Sequence, residues 1–334
     1  MKKKNLPQGN VNMEITDKLT TGRPNLEVYS ETLSAMAAEN SDLLVVTSDS
    51  RGSGKLVPFA QKYPEQIVET GIAEQNLVGI SAGLASCGKT VFATSPACFL
   101  ATRSLEQIKN DVAYSDYPVN LVGISAGVSY GALGSTHHSI HDIAALRAVN
   151  NIIIVAPADN HETRMAVRAA AASNKPFYLR FGKKPMPDLY DEGAGFDIGK
   201  AAVLTDGDDI AFIAFGEAVA PAYEAAQLLY REGVGARVIS MHTLKPLDNE
   251  AVIRAALECK AVITVEEHSI FGGLGEASAA VLMEEGVAVP FRRVGIPDEY
   301  TVTGSQSDIF RHYGITAGGL YESALRILKS QLKD

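Results

Sequence analysis

The chain of 334 residues contains no tryptophan, and aromatic residues make up 7% of it. Its three cysteines, Cys87, Cys98 and Cys259, are an odd number, lie far apart and form no Cys-x-x-Cys pair. This excludes a disulfide scaffold and a thiol metal site of that spacing. We expect all three thiols to be reduced and buried, as in a cytoplasmic protein.

Long apolar runs and an excess of basic charge are also absent. No window approaches the length that a bilayer requires, and no hydrophobic region follows the Met-Lys-Lys-Lys start. We therefore expect neither a membrane span nor a secretion signal. The 39 acidic and 30 basic residues give a net charge of −9, which argues against a nucleic-acid partner.

The sequence does contain a regular alternation of apolar strands and helical patterns. With 46% hydrophobic residues, the chain is long enough for two cores. Strands such as Val119-Asn-Leu-Val-Gly-Ile124 are apolar throughout, which indicates parallel sheets covered on both faces. We predict an α/β fold of two doubly wound domains with mostly parallel sheets. The predicted segments are a flexible arm (1–22), a first domain (23–184), a linker rich in Pro, Gly and Asp (185–199) and a second domain (200–334).

The stretch from Glu69 to Gly83 has the most unusual pattern. An apolar strand ends near Gly71, and Glu74 begins a helix that is otherwise almost entirely apolar. One interpretation is an ordinary acid at a helix start, because helix N-termini favour anions. The other is a half-buried carboxyl whose pKa is raised, so that it shares a proton with a basic heterocycle.

A glycine-rich loop, residues 125–142, carries His137, His138 and His141. We predict no metal site here, because no Cys or Glu stands at ligand spacing and Asp142 fits better as a helix N-cap. The histidines are either solvated turn residues or neutral imidazoles that move protons to and from substrate oxygens.

Two of these segments resemble a known family. Gly71-Ile-Ala-Glu74-Gln-Asn resembles the signature of the pyrimidine-binding domain of thiamine-diphosphate enzymes, and Gly134-Ser-Thr-His137 is similar to the Gly-Pro-Thr-His motif of transketolases. From about Asn25 onward, the chain is similar to the C-terminal section of a transketolase. The resemblance implies that thiamine diphosphate is the cofactor and that a two-carbon ketol unit passes from a ketose to an aldose.

The resemblance also assigns roles to particular residues. It places Glu74 on a ring nitrogen of the cofactor's aminopyrimidine and makes Glu74 and His137 the catalytic residues. It places Phe99 and Arg103 beside the cofactor. The implied substrate-binding residues are Ser53, His137, His138 and Arg180, of which Arg180 suits a bidentate oxyanion but could equally form a surface salt bridge.

The Gly-Asp-Gly…Asn motif that holds the cofactor's diphosphate and its divalent cation is not found in the sequence. We therefore expect one chain of a split enzyme, inactive alone, whose N-terminal partner subunit supplies the diphosphate site and magnesium. Self-association into an α2β2 heterotetramer is the expected assembly, with sugars as small-molecule substrates.

The sequence departs from the family pattern at Leu26, Pro96, Ser125 and Leu133. Leu133 stands where an aspartate contacts a substrate hydroxyl, and its loss would leave that hydroxyl unpaired. We therefore expect a specialised donor, such as a sulfonated ketose or apulose phosphate, rather than an ordinary pentose phosphate. The alternatives are a β subunit of a 2-oxo acid dehydrogenase and a non-catalytic assembly subunit.

Overall fold

A computed structural model describes residues 19–191 and 193–330 of the chain. The strands are β1 Thr21–Pro24, β2 Leu43–Thr47, β3 Ile67–Glu69, β4 Thr90–Pro96, β5 Val119–Ile124, β6 Ile153–Val155, β7 Phe177–Arg180, β8 Pro185–Pro187, β9 Ala202–Thr205, β10 Ile210–Ala214, β11 Ala236–Ser240, β12 Thr243–Lys245, β13 Val262–Ser269 and β14 Phe291–Ile296. The α-helices are α1 Asn25–Ala37, α2 Val57–Lys62, α3 Glu74–Ser86, α4 Ala97–Arg103, α5 Leu105–Gln107, α6 Asp142–Arg147, α7 Asn160–Ala172, α8 Val219–Tyr230, α9 Asn249–Glu258, α10 Leu274–Glu284, α11 Gln306–Tyr313 and α12 Ala317–Ser330. A π-helix, Ile108–Tyr114, continues α5, and 3₁₀ turns cover Pro64–Gln66, Gly131–Leu133 and Gly216–Ala218.

The first domain is built on a seven-stranded sheet in the order β12-β6-β7-β5-β4-β2-β3. Every neighbouring pair is parallel except β12 with β6. The chain runs from β2 to β3 on one side and then returns to β4 on the other, so the strand order reverses at β2. In open parallel sheets, ligands bind beside such a reversal, at the carboxyl ends of the strands.

The second domain has a five-stranded sheet in the order β14-β13-β10-β11-β9, with β9 as an antiparallel edge. The expected fold of two α/β domains with mostly parallel sheets is confirmed. The position of β12 was not expected, because this strand follows the second domain's β11 but completes the first domain's sheet. One hydrophobic cluster accordingly joins Val46 and Leu77 of the first domain to Ile213 and Val252 of the second.

Some details at the domain ends differ from the sequence predictions. Residues 1–18 of the predicted arm lie outside the described residues, and Thr21 and Gly22 already belong to β1. This strand pairs with β8 at the start of the predicted linker.

Two further side chains are placed differently from the predictions. Cys98 and Cys259 are buried, but Cys87 is exposed, so the expectation of three buried thiols was wrong. The cap position of α6 belongs to His141, and Asp142 is the first helical residue, so its predicted role as an N-cap was also wrong. Within the described ranges, no helix has the length and apolar character needed to cross a membrane.

Candidate active site

Four neighbouring strand ends in the first domain carry the candidate residues. Ser53 follows β2, Glu74 follows β3, Phe99 follows β4 and His137 follows β5. Because parallel strands end at one edge of a sheet, residues that are far apart in sequence meet beside the reversal at β2.

Glu74 is held at the start of α3 by a tight turn. Gly71 adopts φ +71°, and its N–H donates to the Glu69 carboxylate at 3.1 Å. The next turn of α3 buries Leu77 and Val78 against the sheet, so the helix start is drawn inward and Glu74 is only 2% exposed. Its Oε2 accepts a hydrogen bond from Nη1 of Arg103 at 2.6 Å. The carboxyl is thus more deeply buried than predicted, and it has a cationic partner.

Aromatic rings line the space beside this carboxyl. The guanidinium of Arg103 lies 4.9 Å from the centre of the Phe99 ring. The imidazole of His137 meets Phe99 edge-on at 5.4 Å and meets Tyr130 in the same way at 5.5 Å. Glu74, Arg103, Phe99, His137 and Tyr130 therefore form one continuous group, which we call the edge cluster.

The side chain of Tyr130 extends the edge cluster to Ser53. Burial raises the pKa of the Tyr130 phenol, while the nearby Ser125 and Ser53 hydroxyls oppose the rise. On the open side, the ammonium of Lys183 lies 5.2 Å from the centre of the Tyr130 ring. Tyr130 and Lys183 had no role predicted from the sequence. The signals available were an aromatic residue inside a glycine-rich loop and a lysine just beyond the end of a strand.

The imidazole of His137 has one ring nitrogen in contact with a neighbouring side chain. Its Nδ1 contacts Oγ1 of Thr136 at 3.0 Å, and no hydrogen bond from a described residue reaches its Nε2. The ring is partly exposed between Phe99 and Tyr130. One imidazole nitrogen is therefore fixed and the other remains available.

His138, in contrast, is bonded inside the protein, and its role in substrate binding stays a prediction. It is 1% exposed. Its Nε2 donates to the carbonyl of Gly131 at 2.9 Å, and its Nδ1 contacts Oγ1 of Thr301 in the second domain. Burial lowers the pKa of His138, so its neutral ring uses both nitrogens inside the protein and holds the glycine-rich loop in place.

The second domain also contacts the glycine-rich loop, residues 125–142. Ser135 Oγ contacts Thr301 Oγ1 at 3.0 Å. Gly131, with φ +51°, approaches the second domain so closely that a Cβ there would lie 2.6 Å from the carbonyl oxygen of Gly304. The second domain therefore fixes the loop that carries His137 and Tyr130.

Two family models together match most of the chain. The model of the pyrimidine-binding domain of transketolase matches residues 24–187, and that of the transketolase C-terminal domain matches residues 199–320. One component of the apulose-4-phosphate transketolase of Phocaeicola vulgatus is 48% identical over 302 residues, which are 90% of this chain and 96% of that protein. The chain belongs to the transketolase family.

Two further similarities come from other split transketolases. A 6-deoxy-6-sulfo-D-fructose transketolase subunit of a Clostridium species is 34% identical over 89% of this chain and 92% of that protein. A solved structure of a split-gene transketolase, an inactive β4 tetramer, superposes with a TM-score of 0.84 at 37% identity, covering 92% of this chain and 99% of that one. Both relatives correspond to nearly the whole of this chain, as expected for one section of a transketolase.

Transketolases depend on thiamine diphosphate, and the edge cluster fits one end of that cofactor. The buried carboxylate of Glu74 is a group that could accept a hydrogen bond from a ring nitrogen, and the ring of Phe99 is a face on which a flat ring could stack. At the other end, the diphosphate with its cation needs several oxygen ligands. No group of three or more His, Cys, Asp or Glu residues able to hold a metal occurs in the part of the chain that the structure describes. The edge cluster thus has groups that suit the pyrimidine end of the cofactor.

Arg180 is buried and does not lie at an open surface where a substrate anion could reach it. It is 5% exposed, and its Nε donates to Asp142 Oδ2 at 2.9 Å. Its Nη2 donates to the carbonyls of Ser139 and Glu267 at 3.1 and 2.9 Å. The guanidinium therefore links the two domains, and its contact with substrate stays a prediction that these bonds do not support.

A buried acidic pair lies next to Arg180. Burial and the neighbouring Glu217 charge raise the pKa of Glu267 to about 8, and burial also raises the pKa of Glu217. The side-chain amide of Gln306 donates to both carboxyls. Two carboxylates this close cannot both stay charged at low cost, so the pair holds a proton near neutral pH.

The departures from the transketolase pattern have different surroundings. Leu26 is fully buried in the core against Tyr29, and Ser125 is fully buried with φ +53°. Pro96 ends β4 and occupies the cap position of α4. Leu133 is 54% exposed in the glycine-rich loop. Of the four positions, Leu133 presents the most open surface to a ligand or a covering chain.

Proposed function

We propose that the chain is the C-terminal subunit of a two-subunit transketolase and that its edge cluster is half of the active site. The observation that carries this proposal is the buried carboxyl of Glu74 beside the face of Phe99, with His137 in contact with the same ring. When bound, thiamine diphosphate supplies the nucleophile and electron sink that break the carbon–carbon bond next to a ketose carbonyl.

The residues of this chain perform three tasks in that reaction. Glu74 hydrogen-bonds the pyrimidine ring nitrogen and fixes its protonation state. His137 moves protons to and from substrate oxygens through its available Nε2, because its Nδ1 is already in contact with Thr136. Phe99 covers one face of the pyrimidine and keeps water away from it.

A partner chain covers the open side of the edge cluster in this proposal. Ile72, two residues before Glu74, is 74% exposed, and Leu133, four residues before His137, is 54% exposed. Apolar side chains beside a polar site suit a protein interface. The similar split-gene transketolase was solved as an inactive β4 tetramer, which supports both self-association and inactivity without a partner. The partner would be the N-terminal section, which carries the diphosphate site and magnesium.

We assign the anionic tail of the donor to Lys183 and Ser53, in place of the buried Arg180. Lys183 is exposed and lies over the ring of Tyr130. His137 contacts the same ring. Ser53 is also exposed and lies near the Tyr130 hydroxyl. Together they place a cation and a hydroxyl donor beside the proton-transferring imidazole.

The expected donor is apulose phosphate. Support comes from the 48% identity to a component of an apulose-4-phosphate transketolase and from the loss of an acceptor at Leu133. A sulfonated ketose is the second candidate, favoured by the 34% identity to a sulfofructose transketolase component. The similarities to transketolase components favour a transketolase over a 2-oxo acid dehydrogenase β subunit.

The test is reconstitution with the N-terminal section, followed by a panel of donors that includes apulose 4-phosphate, sulfofructose and xylulose 5-phosphate. We expect transfer of a two-carbon unit without a lipoyl carrier and a clear preference for one of the first two donors. Equal turnover of all three would remove the basis for a specialised substrate. Absence of transfer by the assembled complex would favour a non-catalytic subunit.

A lysine pair provides the control for the anion site. The Lys183→Met variant should raise KM for phosphorylated or sulfonated donors about tenfold, which corresponds to about 1.4 kcal/mol. The Lys184→Met variant should not, because the ammonium of Lys184 donates to Ser307 at 2.8 Å in the second domain. An equal effect of the two changes would mean that the tail binds elsewhere.

A further inference from the structure

We propose that Arg103 is a placeholder for the aminopyrimidine ring of thiamine diphosphate: it occupies Glu74 and Phe99 in the free chain and is displaced from them when the cofactor binds. This inference rests on the proposed role of Glu74. It differs from the sequence prediction that Arg103 itself binds the cofactor, and the two lead to opposite results when Arg103 is removed.

The contacts of Arg103 reproduce those required of the cofactor ring. Its Nη1 donates to Glu74 Oε2 at 2.6 Å, and its Cζ lies 4.9 Å from the centre of the Phe99 ring. An aminopyrimidine is also flat, bears nitrogen atoms that hydrogen-bond a carboxylate, and stacks on aromatic faces. A guanidinium is the side-chain group that most resembles it, since it is planar, rich in N–H donors and able to stack. Arginine and cofactor therefore compete for one carboxylate and one ring.

The burial of Glu74 explains why a placeholder is useful. A buried carboxylate without a partner strongly destabilises a fold, and Glu74 is only 2% exposed. The pairing with Arg103 keeps this carboxyl pointing into the half-site before any cofactor is present.

Arg103 is also able to leave its position. Its side chain is 47% exposed, and it is the last residue of α4, so rotation of the side chain alone releases both contacts. Arg180 provides the contrast within the same domain, because its side chain is 4% exposed and it bonds to two carbonyls as well as a carboxylate. Arg103 thus has the access and the few contacts that an exchangeable group needs.

The test measures the dissociation constant of thiamine diphosphate, with magnesium, for the complex of the full chain with the N-terminal section. Isothermal titration of the Arg103→Met and Arg103→Gln variants should show binding about fivefold tighter than wild type, which corresponds to about 1 kcal/mol. Simple structural damage would not tighten binding. The control is Arg23→Met, which removes an arginine of similar exposure from a 2.6 Å pair with Glu31 outside the edge cluster, and it should leave the constant unchanged.

Weaker binding by both Arg103 variants would overturn the proposal and make Arg103 a direct cofactor ligand. Constants within twofold of wild type would overturn it as well. In the cofactor-free chain, a double-mutant cycle of Arg103→Gln with Glu74→Gln should show coupling in thermal stability, and additive effects would contradict the pairing. Wild-type cofactor affinity in Glu74→Gln alone would instead refute the proposed function of Glu74, whatever the Arg103 variants show.

Discussion

Replacing Arg180 with methionine should destabilise the chain by about 3–5 kcal/mol, the usual effect of removing one partner from a buried ion pair. The change leaves the carboxylate of Asp142, which is fully buried, with the Tyr178 hydroxyl at 2.7 Å as its remaining hydrogen-bond donor. It also leaves the carbonyls of Ser139 and Glu267 without the donors at 3.1 and 2.9 Å. Methionine fills a similar volume, so most of the loss comes from the buried polar groups that lose this donor, although the Ser139 carbonyl keeps a hydrogen bond from the Gly127 N–H at 3.1 Å.

Urea unfolding measures this effect as a shift of the midpoint at constant slope. The control is again Arg23→Met, whose partner lies on the surface with 61% of its side chain exposed, so a loss below about 1 kcal/mol is expected. An unchanged midpoint for Arg180→Met, together with a raised KM for anionic donors, would refute the structural role and restore Arg180 as a substrate ligand.

Two further predictions concern the contact between the domains. Because the pKa of Glu267 is raised from 4.5 to about 8, the stability gained by its protonation is complete below about pH 4.5 and is lost as pH rises through about 8. Urea midpoints should thus fall between about pH 5 and about pH 8 and level off above that range, and Glu267→Gln should flatten this decline; an unchanged slope would contradict the assignment. Gly131→Ala should destabilise the glycine-rich loop by about 1–3 kcal/mol, because the residue has φ +51° and its Cβ would lie 2.6 Å from the Gly304 oxygen. Thermal unfolding measures this loss, and a wild-type midpoint would show that the loop can move away from the second domain.

The fold and part of the candidate site could be predicted, because the sequence patterns that indicate them are local. Continuous apolar strands mark a parallel sheet wherever they occur, and Glu74 followed by an apolar helix marks a carboxyl at a helix start. Phe99 and His137 belonged to short motifs, and the structure places both in the edge cluster.

The surroundings of His138 and Arg180 could not be predicted, because they depend on residues that lie far away in the sequence. His137 and His138 are adjacent in sequence, but Thr301, 163 residues further on, draws His138 into the domain contact. Arg180 ends a strand in the same way as an anion-binding residue would, but Asp142 of its own domain and Glu267 of the second domain surround it. No periodicity distinguishes these outcomes, since side-chain burial at such positions is set by the tertiary contact.

The positions of Lys183 and Arg103 were difficult to predict from the sequence for a related reason. An exposed lysine after a strand has no distinctive pattern, and its significance comes from lying over Tyr130. The pairing of Arg103 with Glu74 joins residues that are 29 positions apart on two different helices. A motif can thus identify a carboxylate without showing what occupies it in the free chain.

Ketol transfer by the Glu74→Gln variant tests most directly whether Glu74 supports the chemistry of thiamine diphosphate. The variant chain is assembled with the N-terminal section and assayed with saturating cofactor, magnesium and the preferred donor. We expect the rate to fall by about two to four orders of magnitude while the complex remains assembled. A wild-type rate in that complex would contradict the account.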